Sequence, residues 1–377
     1  MRLPVLRVFS LLSVLLLARP ALAQEGPYTP WVGERGVTET VHEIMAREIR
    51  SPVPPRAPDG RHSRMHGNVS RRSLAPNPLS PALSQWPPAS TQSAAAPAPV
   101  AQGGSSPVSA ASWFLCAQSS ESVYHPPDSQ GAVGPTQILV NLNGRVKVFD
   151  KQGNLGALNT TGDNFFQSVL GTTIAVDPEV CYDRTSGRFF LTAINEESPN
   201  RILIAVSSGS TITDQSSFTF FYFVQDQVAP PGDTGLFADY DKLGVDANAL
   251  YVGANMANLQ AQIYYSATGW VVKKSSLLSG GPLEATAFRG WAPVTGGPGP
   301  FAPQGVENDD PGATEGYFAG VSGMFAGTVT LRRVSDPGGN PSVSGDLNVT
   351  LYNTAKYHWP QKNINEPVTI DITLDNP

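Results

Sequence analysis

From Trp113 to the last residue, apolar and polar side chains alternate with a period of two, and no segment keeps a helical period. A period of two places successive side chains on opposite faces of a strand. Asn143-Gly144 separates two such segments and suits a two-residue hairpin turn. The sequence therefore predicts an all-β domain over residues 113–377. Its strands are expected near residues 137–142, 145–150, 188–194, 201–207, 218–224, 249–254, 262–266, 316–321, 328–332 and 346–352.

An acidic residue followed by a short apolar strand recurs along this domain. The four acidic openers are Asp128, Asp177, Asp239 and Glu315, and a Gly/Pro-rich insertion at residues 280–311 lengthens the last interval. Four-stranded blades repeat at about this spacing in β-propellers. We therefore expect a β-propeller-like fold of about four to five four-stranded blades, either closed or incomplete. A β-sandwich is the competing architecture.

The first residues predict export. Arg2 and Arg7 precede an apolar run at residues 8–18, and Ala21-Leu22-Ala23 is a small-x-small cleavage pattern. The run is about 11 residues long, too short for the roughly 20 that span a bilayer. Residues 1–23 are thus predicted to be a signal peptide. We expect a secreted protein, extracellular or periplasmic, without membrane insertion after cleavage.

Residues 24–112 are predicted to be a linker that contains one short helix. Thr40 and Glu43 form a capping-box pattern, and apolar residues then recur at helical spacing, so the helix is expected near residues 37–50. Residues 51–112 are rich in Pro, Ala and Ser, a composition that buries too little apolar surface to offset the entropy of ordering.

Several stretches resemble a group of exported bacterial proteins with a sialidase-like β-propeller. They are DPEVCYDRTSGRFFL (177–191), FADYDKLGVDANALYVGAN (237–255), TEGYFAGVSG (314–323), LRRVSDPGG (331–339) and the first-blade stretch at 128–155. The shared pattern is D-P-x-V-x-Y-D and D-Y-x-K-x-G at blade openings. The resemblance implies a propeller over about residues 128–370 and says little about activity. Similar proteins run on into further blades, so it leaves the number of blades open.

In a propeller, equivalent residues of the innermost strands meet around one channel. The sequence therefore predicts a ligand-binding mouth made by Asp177, Asp239, Tyr240, Lys242 and Arg188. Carboxylate oxygens are the ligands that Ca²⁺ prefers. Asp177 and Asp239, joined by Asp128 and Glu315, are therefore candidate ligands for a calcium ion. The alternative is that each aspartate caps its own turn.

Cys116 and Cys181 are the two cysteines of the chain. In an oxidising compartment a disulfide between them is one expectation, and two unpaired thiols are the other.

The sequence favours a binding function over catalysis. A sialidase needs three arginines on the substrate carboxylate, and none of the arginines lies in the expected motif. The formal net charge is −6, with the acidic excess in the β domain, so nucleic-acid binding is not expected. We therefore predict a secreted non-enzymatic domain that binds an extracellular glycan or protein. A sialidase-like glycan hydrolase is the runner-up, and an envelope structural protein is a third hypothesis.

Overall fold

The computed structural model of the chain describes residues 24–50, 75–76, 114–118, 121, 127–259, 263–326 and 328–350. The predicted signal peptide, most of the predicted linker and residues 351–377 lie outside these ranges. None of the helices in the described ranges combines the length and the apolar composition needed to span a bilayer.

The described residues form an all-β fold of four antiparallel blades. Three short strands precede them: β1 (Trp31–Val32), β2 (Val37–Thr40) and β3 (Ala75–Pro76). Blade 1 contains β4 (Gln130–Val133), β5 (Gln137–Leu142), β6 (Arg145–Asp150) and β7 (Leu155–Thr160). Blade 2 contains β8 (Ala175–Asp183), β9 (Arg188–Asn195), β10 (Arg201–Ser207) and β11 (Ser217–Val224).

Blade 3 contains β12 (Phe237–Val245), β13 (Ala249–Asn258), β14 (Ile263–Lys273) and β15 (Glu284–Trp291). Blade 4 contains β16 (Pro300–Gly305), β17 (Glu315–Ser322), β19 (Thr328–Ser335), β20 (Ser342–Val343) and β21 (Leu347–Thr350). Between β17 and β19, β18 (Phe325–Ala326) pairs in parallel with β3. The helices are α1 (Val41–Arg50), α2 (Gly162–Phe165), α3 (Gln167–Leu170) and α4 (Lys274–Leu278).

The blades are arranged as in a propeller. The first strand of each blade contacts the first strand of the next, from β4 to β8, to β12 and to β16. Each pair of neighbouring blades encloses its own apolar core, so that blades 1 and 2, 2 and 3, and 3 and 4 are each joined face to face. Phe190 and Phe220 are fully buried in two of these cores, and each such side chain contributes about 1.5–3 kcal/mol. This arrangement excludes the competing β-sandwich, because two stacked sheets would not bring the first strands of four sheets into contact one after another.

Glycine allows the inner strands of blades 3 and 4 to approach closely. A Cβ on Gly244 would lie 2.2 Å from the carbonyl carbon of Gly305, and one on Gly305 would lie 2.3 Å from the carbonyl oxygen of Tyr251. These distances are well below van der Waals contact, so any larger residue would push the two blades apart.

Residues 24–50 belong to the propeller rather than to a linker, and we call them the N-terminal strap. Glu25 exchanges backbone hydrogen bonds with Val343 of blade 4. Further along, β1 adds to the outer edge of blade 3 through β15, and β2 adds to the outer edge of blade 2 through β11. The strap thus pairs first with blade 4, then with blade 3 and then with blade 2, which is the reverse of the order of the blades in the sequence. The amino-acid composition could not reveal this pairing, because the strap joins the sheets through backbone hydrogen bonds and not through a long apolar stretch.

The strap ends with α1, which begins four residues later than the start of the expected interval because residues 37–40 form β2. The capping box is confirmed: Thr40 N donates to Glu43 Oε2 at 2.7 Å and Glu43 N to Thr40 Oγ1 at 3.1 Å. Burial of Val41 and Ile44 fixes the apolar face of the helix on blade 1.

Glu48 anchors this helix to blade 1. Its Oε2 accepts hydrogen bonds from Thr160 Oγ1 at 2.9 Å, from Thr161 N at 3.1 Å and from Asn164 Nδ2 at 2.5 Å. Its Oε1 lies 3.2 Å from Arg145 Nη1. Burial acts to raise the pKa of Glu48, but these hydrogen bonds and Arg145 outweigh it and lower the pKa. The strap is therefore held by an ionised carboxylate.

The two cysteines are free thiols, and the disulfide expectation is wrong. Cys181 is buried in the core between blades 2 and 3. Cys116 packs on the opposite side of the molecule, against the outer face of blade 1 beside Val140 and Phe149. Both cysteines serve as small apolar side chains.

The predicted insertion at residues 280–311 is likewise wrong. It contains the outer strand of blade 3, β15, and the inner strand of blade 4, β16. The Pro and Gly residues of PFAPQG made this segment look like a loop in the sequence. They belong instead to an innermost strand that contains a bulge.

Replacing Glu48 by alanine should lower the free energy of unfolding by about 2–4 kcal/mol, because the donors on Thr160, Thr161 and Asn164 lose a charged acceptor. Arg50→Ala at the exposed end of the same helix is the matched control and should change it by less than about 0.5 kcal/mol. Urea denaturation of both variants measures the difference, and equal effects would contradict the anchoring role of Glu48. Because the pKa of Glu48 is lowered on folding, its contribution should be complete above the unfolded pKa of about 4.3. It should be lost as pH falls through the folded value.

Candidate functional site at the channel mouth

A residue with left-handed backbone stands at the start of the inner strand of every blade, and in blades 2, 3 and 4 it lies in a β-bulge. The register breaks between Val176 and Glu179 in blade 2, between Asp239 and Lys242 in blade 3, and between Phe301 and Gln304 in blade 4. The residue that follows the start of each break has a positive φ, and blade 1 has one at the same place before β4. The four left-handed residues are Asp128 (φ 39°) before β4 and the bulge residues Asp177 (52°), Tyr240 (60°) and Ala302 (48°).

The bulge residues hydrogen-bond each blade to the one before it. Asp177 N donates to Asn143 Oδ1 of blade 1 at 2.9 Å, and Tyr240 N donates to Asp177 Oδ2 of blade 2 at 3.0 Å. Ala302 N donates in the same way to Asn255 Oδ1 of blade 3 at 2.9 Å. The left-handed backbone turns each N–H out of its own sheet and toward the preceding blade. We call these three hydrogen bonds the inter-blade latch.

The latch continues to the first blade through Asn143. Its Nδ2 donates to Asp128 Oδ2 at 2.5 Å, while its Oδ1 holds the Asp177 amide. Asp128, Asp177 and Tyr240 are each half-buried, so their side chains face both the latch and the solvent at the mouth. All three residues were named from the sequence, Asp128 and Asp177 as acidic openers and Tyr240 as a neighbour of the opener Asp239.

Two residues further along each inner strand lies a layer of polar side chains, the channel layer, formed by Gln130, Glu179, Lys242 and Gln304. Glu179 is the centre of this layer. Its Oε1 accepts from Lys242 Nζ at 2.7 Å and from Gln130 Nε2 at 3.3 Å. Gln304 Nε2 donates to the backbone oxygen of Leu243 at 2.7 Å.

Lys242 is the cation of the channel layer. Its ammonium group lies 3.9 Å from the centre of the Tyr240 ring as well as against Glu179. Burial acts to lower the pKa of Lys242, but the charge of Glu179 dominates and raises it above the ordinary value. Burial and the neighbouring Asp177 raise the pKa of Glu179, against the pull of Lys242. Lys242 therefore stays charged, and its ammonium group is paired with the Glu179 carboxylate.

Asp241 lies behind the mouth and, unlike Asp128 and Asp177, is fully buried. It is 1% exposed, and Thr192 Oγ1 donates to its Oδ2 at 2.7 Å. Its Oδ1 has no hydrogen-bond partner within the part of the chain that the structure describes. Burial, followed by the charge of Asp177, raises the pKa of Asp241 well above its ordinary value. Both effects favour the neutral, protonated form of Asp241 over the carboxylate.

Asp239 does not join the mouth. The bulge makes it equivalent to Val176 and Phe301, one residue before the left-handed position. It is 2% exposed, and its Oδ2 accepts the hydroxyl of Tyr264 inside the interface with blade 4. The sequence alignment of Asp239 with Asp177 was wrong by one residue, which reverses the face on which a strand residue lies.

Arg188 and Glu315 also lie away from the mouth. Both begin the second strand of a blade, at the end opposite to the bulge: Arg188 pairs with Asp183, the last residue of β8. Glu315 pairs with Ser335 and lies 3.5 Å from Arg333. The inner strand of blade 4 is β16, so Glu315 is not an opener and its assignment was wrong.

The expected calcium site has no counterpart within the described ranges, where no three His, Cys, Asp or Glu side chains are arranged to hold a metal ion. Of the four residues considered for it, only Asp128 and Asp177 lie at the mouth, and each accepts a hydrogen bond of the latch.

The described arginines of the four blades are bound to carboxylates or to side-chain amide or backbone oxygens. For example, Arg289 contacts Asp233 at 2.7 Å and the oxygens of Gln225, Val228 and Pro230. Arg201 donates to the oxygen of Val169 at 2.8 Å. Within the described blades, no three arginines converge at the mouth.

Sequence reasoning missed Glu179, Gln130 and Asn143. The signal for Glu179 was present, since it stands two residues after Asp177 as Lys242 stands two residues after Tyr240. With the register of the bulge known, the opposite charges of Glu179 and Lys242 would have predicted this ion pair.

Replacing Lys242 by methionine should lower the free energy of unfolding at pH 7 by about 3–5 kcal/mol, because it leaves Glu179 buried without its cation. Lys273→Met is the control, since its ion pair with Glu284 is about one-third exposed and worth less than about 1 kcal/mol. In the Lys242 variant the folded pKa of Glu179 lies above the unfolded value of about 4.3. The deficit should therefore shrink as pH falls toward 4, and a deficit in urea denaturation that stays constant between pH 7 and pH 4 would contradict this assignment.

Comparison with known proteins gives no family. A scan against protein-family models finds no match, and a comparison with curated protein sequences finds none either. Among solved structures, an exo-β-1,3-galactanase from Phanerochaete chrysosporium is similar at 12% identity and a TM-score of 0.31, over 58% of this chain and 49% of the galactanase. A GH43_1 enzyme from Xanthomonas citri is similar at 12% identity and a TM-score of 0.30, over 59% of this chain and 74% of the enzyme. A subtype N11 neuraminidase-like protein of A/flat-faced bat/Peru/033/2010 has 9% identity and a TM-score of 0.32, over 59% of this chain and 58% of that protein. The chain thus spans about half the length of the galactanase.

Proposed function

We propose that this protein is an exported, non-enzymatic binding domain that takes a neutral glycan at the channel mouth. The observation that carries the proposal is the left-handed residue at the equivalent position of four blades, which brings Asp128, Asp177 and Tyr240 to one mouth. Loops and strand ends around a propeller mouth are positioned by the rigid blades behind them.

The charge of the mouth favours a ligand rich in hydroxyl groups. Asp128 and Asp177 are half-buried carboxylates, and the charge of Lys242 is already used by Glu179. Carboxylate oxygens accept hydroxyl donors well. They repel sulfated or sialylated glycans, as they repel nucleic acid. A neutral oligosaccharide meets these requirements.

The same contacts argue against catalysis. An acid or base must reach the substrate to transfer a proton, whereas Asp241 is 1% exposed and Glu179 is 8% exposed. Each serves to join blades 2 and 3, through Thr192 and Lys242 respectively. Among the described residues of this mouth there is no equivalent of the arginine cluster that a sialidase uses on its substrate carboxylate.

Asp177→Asn should weaken glycan binding by about tenfold, the loss expected when a charge-assisted hydrogen bond becomes neutral. Asparagine can still accept the Tyr240 amide, so the fold should be retained. Glu315→Gln, at the opposite end of blade 4, is the matched control and should bind like the parent. A neutral-glycan array identifies the ligand, and calorimetry with the best glycan measures both variants. If no glycan binds, or if a cationic peptide binds in its place, the glycan assignment is overturned.

A glycan hydrolase is the second candidate, and one observation favours it. The pKa of Asp241 is raised in the neighbourhood of Asp177 and Glu179, and carboxyl groups with separated pKa values are typical of acid–base pairs. Chromogenic glycosides distinguish the candidates. Turnover by the parent that disappears in Asp177→Asn would replace the binding proposal with the enzymatic one.

Export is part of the same proposal, and the start of the strap supports it. Gln24 Nε2 donates to Ser342 Oγ at 3.0 Å, and the next residue, Glu25, lies 2.6 Å from Arg332 and 3.2 Å from the indole nitrogen of Trp291. Cleavage after Ala23 would leave all these contacts intact.

The exported protein should therefore begin at Gln24. Expression of the full sequence in a bacterial host, followed by N-terminal sequencing of the protein outside the cytoplasm, tests this. Ala23→Phe removes the small residue that signal peptidase requires and should leave the precursor uncut. A protein retained in the cytoplasm with Met1 intact would overturn the proposal.

A further inference from the structure

Blade 4 is the one described blade whose two faces differ along their whole length. On β17 and β19 buried and half-exposed residues alternate strictly, whereas the middle strands of blades 2 and 3 are buried on both faces. The buried face carries Phe318, which packs against Tyr251 and Trp291 of blade 3. The other face is turned away from blade 3, and we call it the far face of blade 4.

The far face is apolar across three strands. Cross-strand pairs share a face, so the register joins Val321 to Val329 and Val349, and Ala319 to Leu331 and Leu347. Leu347 is 46% exposed and Val349 is 44% exposed. The Glu315–Arg333 ion pair borders this row at one end. Five large aliphatic side chains in one contiguous patch mark a surface that another element covers.

The chain covers the corresponding face at the other end of the propeller with its own residues. The outer face of blade 1 presents Val140, Leu142 and Phe149, and residues 114–117 pack on it through Phe114 and Cys116. Lys147 Nζ holds that segment in place through the backbone oxygen of Cys116 at 3.2 Å. A blade face is thus closed by an extended piece of the same chain rather than by a further blade.

The sequence after β21 contains a segment suited to the far face. In the stretch PVTIDITL, at residues 367–374, Val368, Ile370, Ile372 and Leu374 alternate with polar residues. This period predicts a strand with one apolar face, and its β-branched residues favour it. β21 is the outer strand of the far face. The intervening residues 351–367 can reach about 55 Å at roughly 3.3 Å per residue, against a width of about 15–20 Å for four strands.

We propose that residues 368–374 lie as an extended segment on the far face of blade 4, with Val368, Ile370, Ile372 and Leu374 turned toward Val329, Leu331, Leu347 and Val349. The polar row of the segment, Thr369, Asp371 and Thr373, faces solvent. This placement removes the exposed apolar patch and closes blade 4 as residues 114–117 close blade 1.

Photo-crosslinking in the full chain decides the proposal. The probe p-benzoylphenylalanine replaces Val349, whose exposure lets it accept a larger side chain, and irradiation is followed by digestion and mass spectrometry. The expected product joins position 349 to a peptide containing residues 368–374 of the same molecule. The same probe at Val133, an exposed residue of blade 1, is the control and should not label that peptide. An adduct between two molecules would assign the far face to a second copy, and the lack of any adduct with residues 368–374 would also overturn the proposal.

A pair of double variants tests the orientation of the segment. Ile370→Asp with Ile372→Asp should lower Tm by about 5 °C or more and increase the fluorescence of a dye that binds exposed apolar surface. Thr369→Asp with Thr373→Asp adds the same charge to the solvent row and should leave both readings near those of the parent. Equal effects of the two pairs would show that the segment does not lie with its apolar row on the far face.

Discussion

The inter-blade latch decides how the four sheets meet. A strand satisfies its backbone within its own sheet, so a blade has no directional means of binding the next one except through side chains. The bulge changes this, because its left-handed residue frees one N–H that points across to the preceding blade. Asn143, Asp177 and Asn255 receive it in turn. The apolar cores supply most of the stability, but they are non-directional, and the latch gives the angle and register at which they pack. Asp177 is the most constrained residue, since it donates at its own bulge and accepts from the next.

The strap addresses a different problem of the same architecture. Radial sheets expose their outermost strands, and such edges are sites for pairing with other chains. The strap covers the outer edges of blades 2 and 3 with backbone and reaches blade 4 through Glu25. Glu48 and Arg332 then fix its two ends by charge. The strap is one continuous segment that contacts all four blades. It therefore links blades that do not contact each other directly.

The sequence predicted the class of fold and most strands, because alternation and turn residues act locally. Asp128 and Asp177 were named for the same reason, since an acidic opener recurs in the sequence, whereas Tyr240 was named only as a neighbour of Asp239. What failed depended on register or on distant pairing. A one-residue error at the bulge placed Asp239 at the mouth, although its carboxylate lies inside a blade interface. The strap was assigned to a linker because β-addition needs only backbone donors and acceptors, which leave no mark on composition.

The distribution of charge connects the architecture to the proposed activity. Asp177, Glu179 and Asp241 lie close together at the interface of blades 2 and 3, since the charge of Asp177 raises the pKa of both other carboxyl groups. Burial also raises the pKa of Asp241, which favours its neutral form, and Lys242 pairs with Glu179. Asp128 and Asp177 keep partial solvent access at the mouth, and Asn143 joins them. The carboxyl groups of Asp128 and Asp177 thus offer oxygen acceptors at the mouth, which supports the proposed reversible binding of hydroxyl groups.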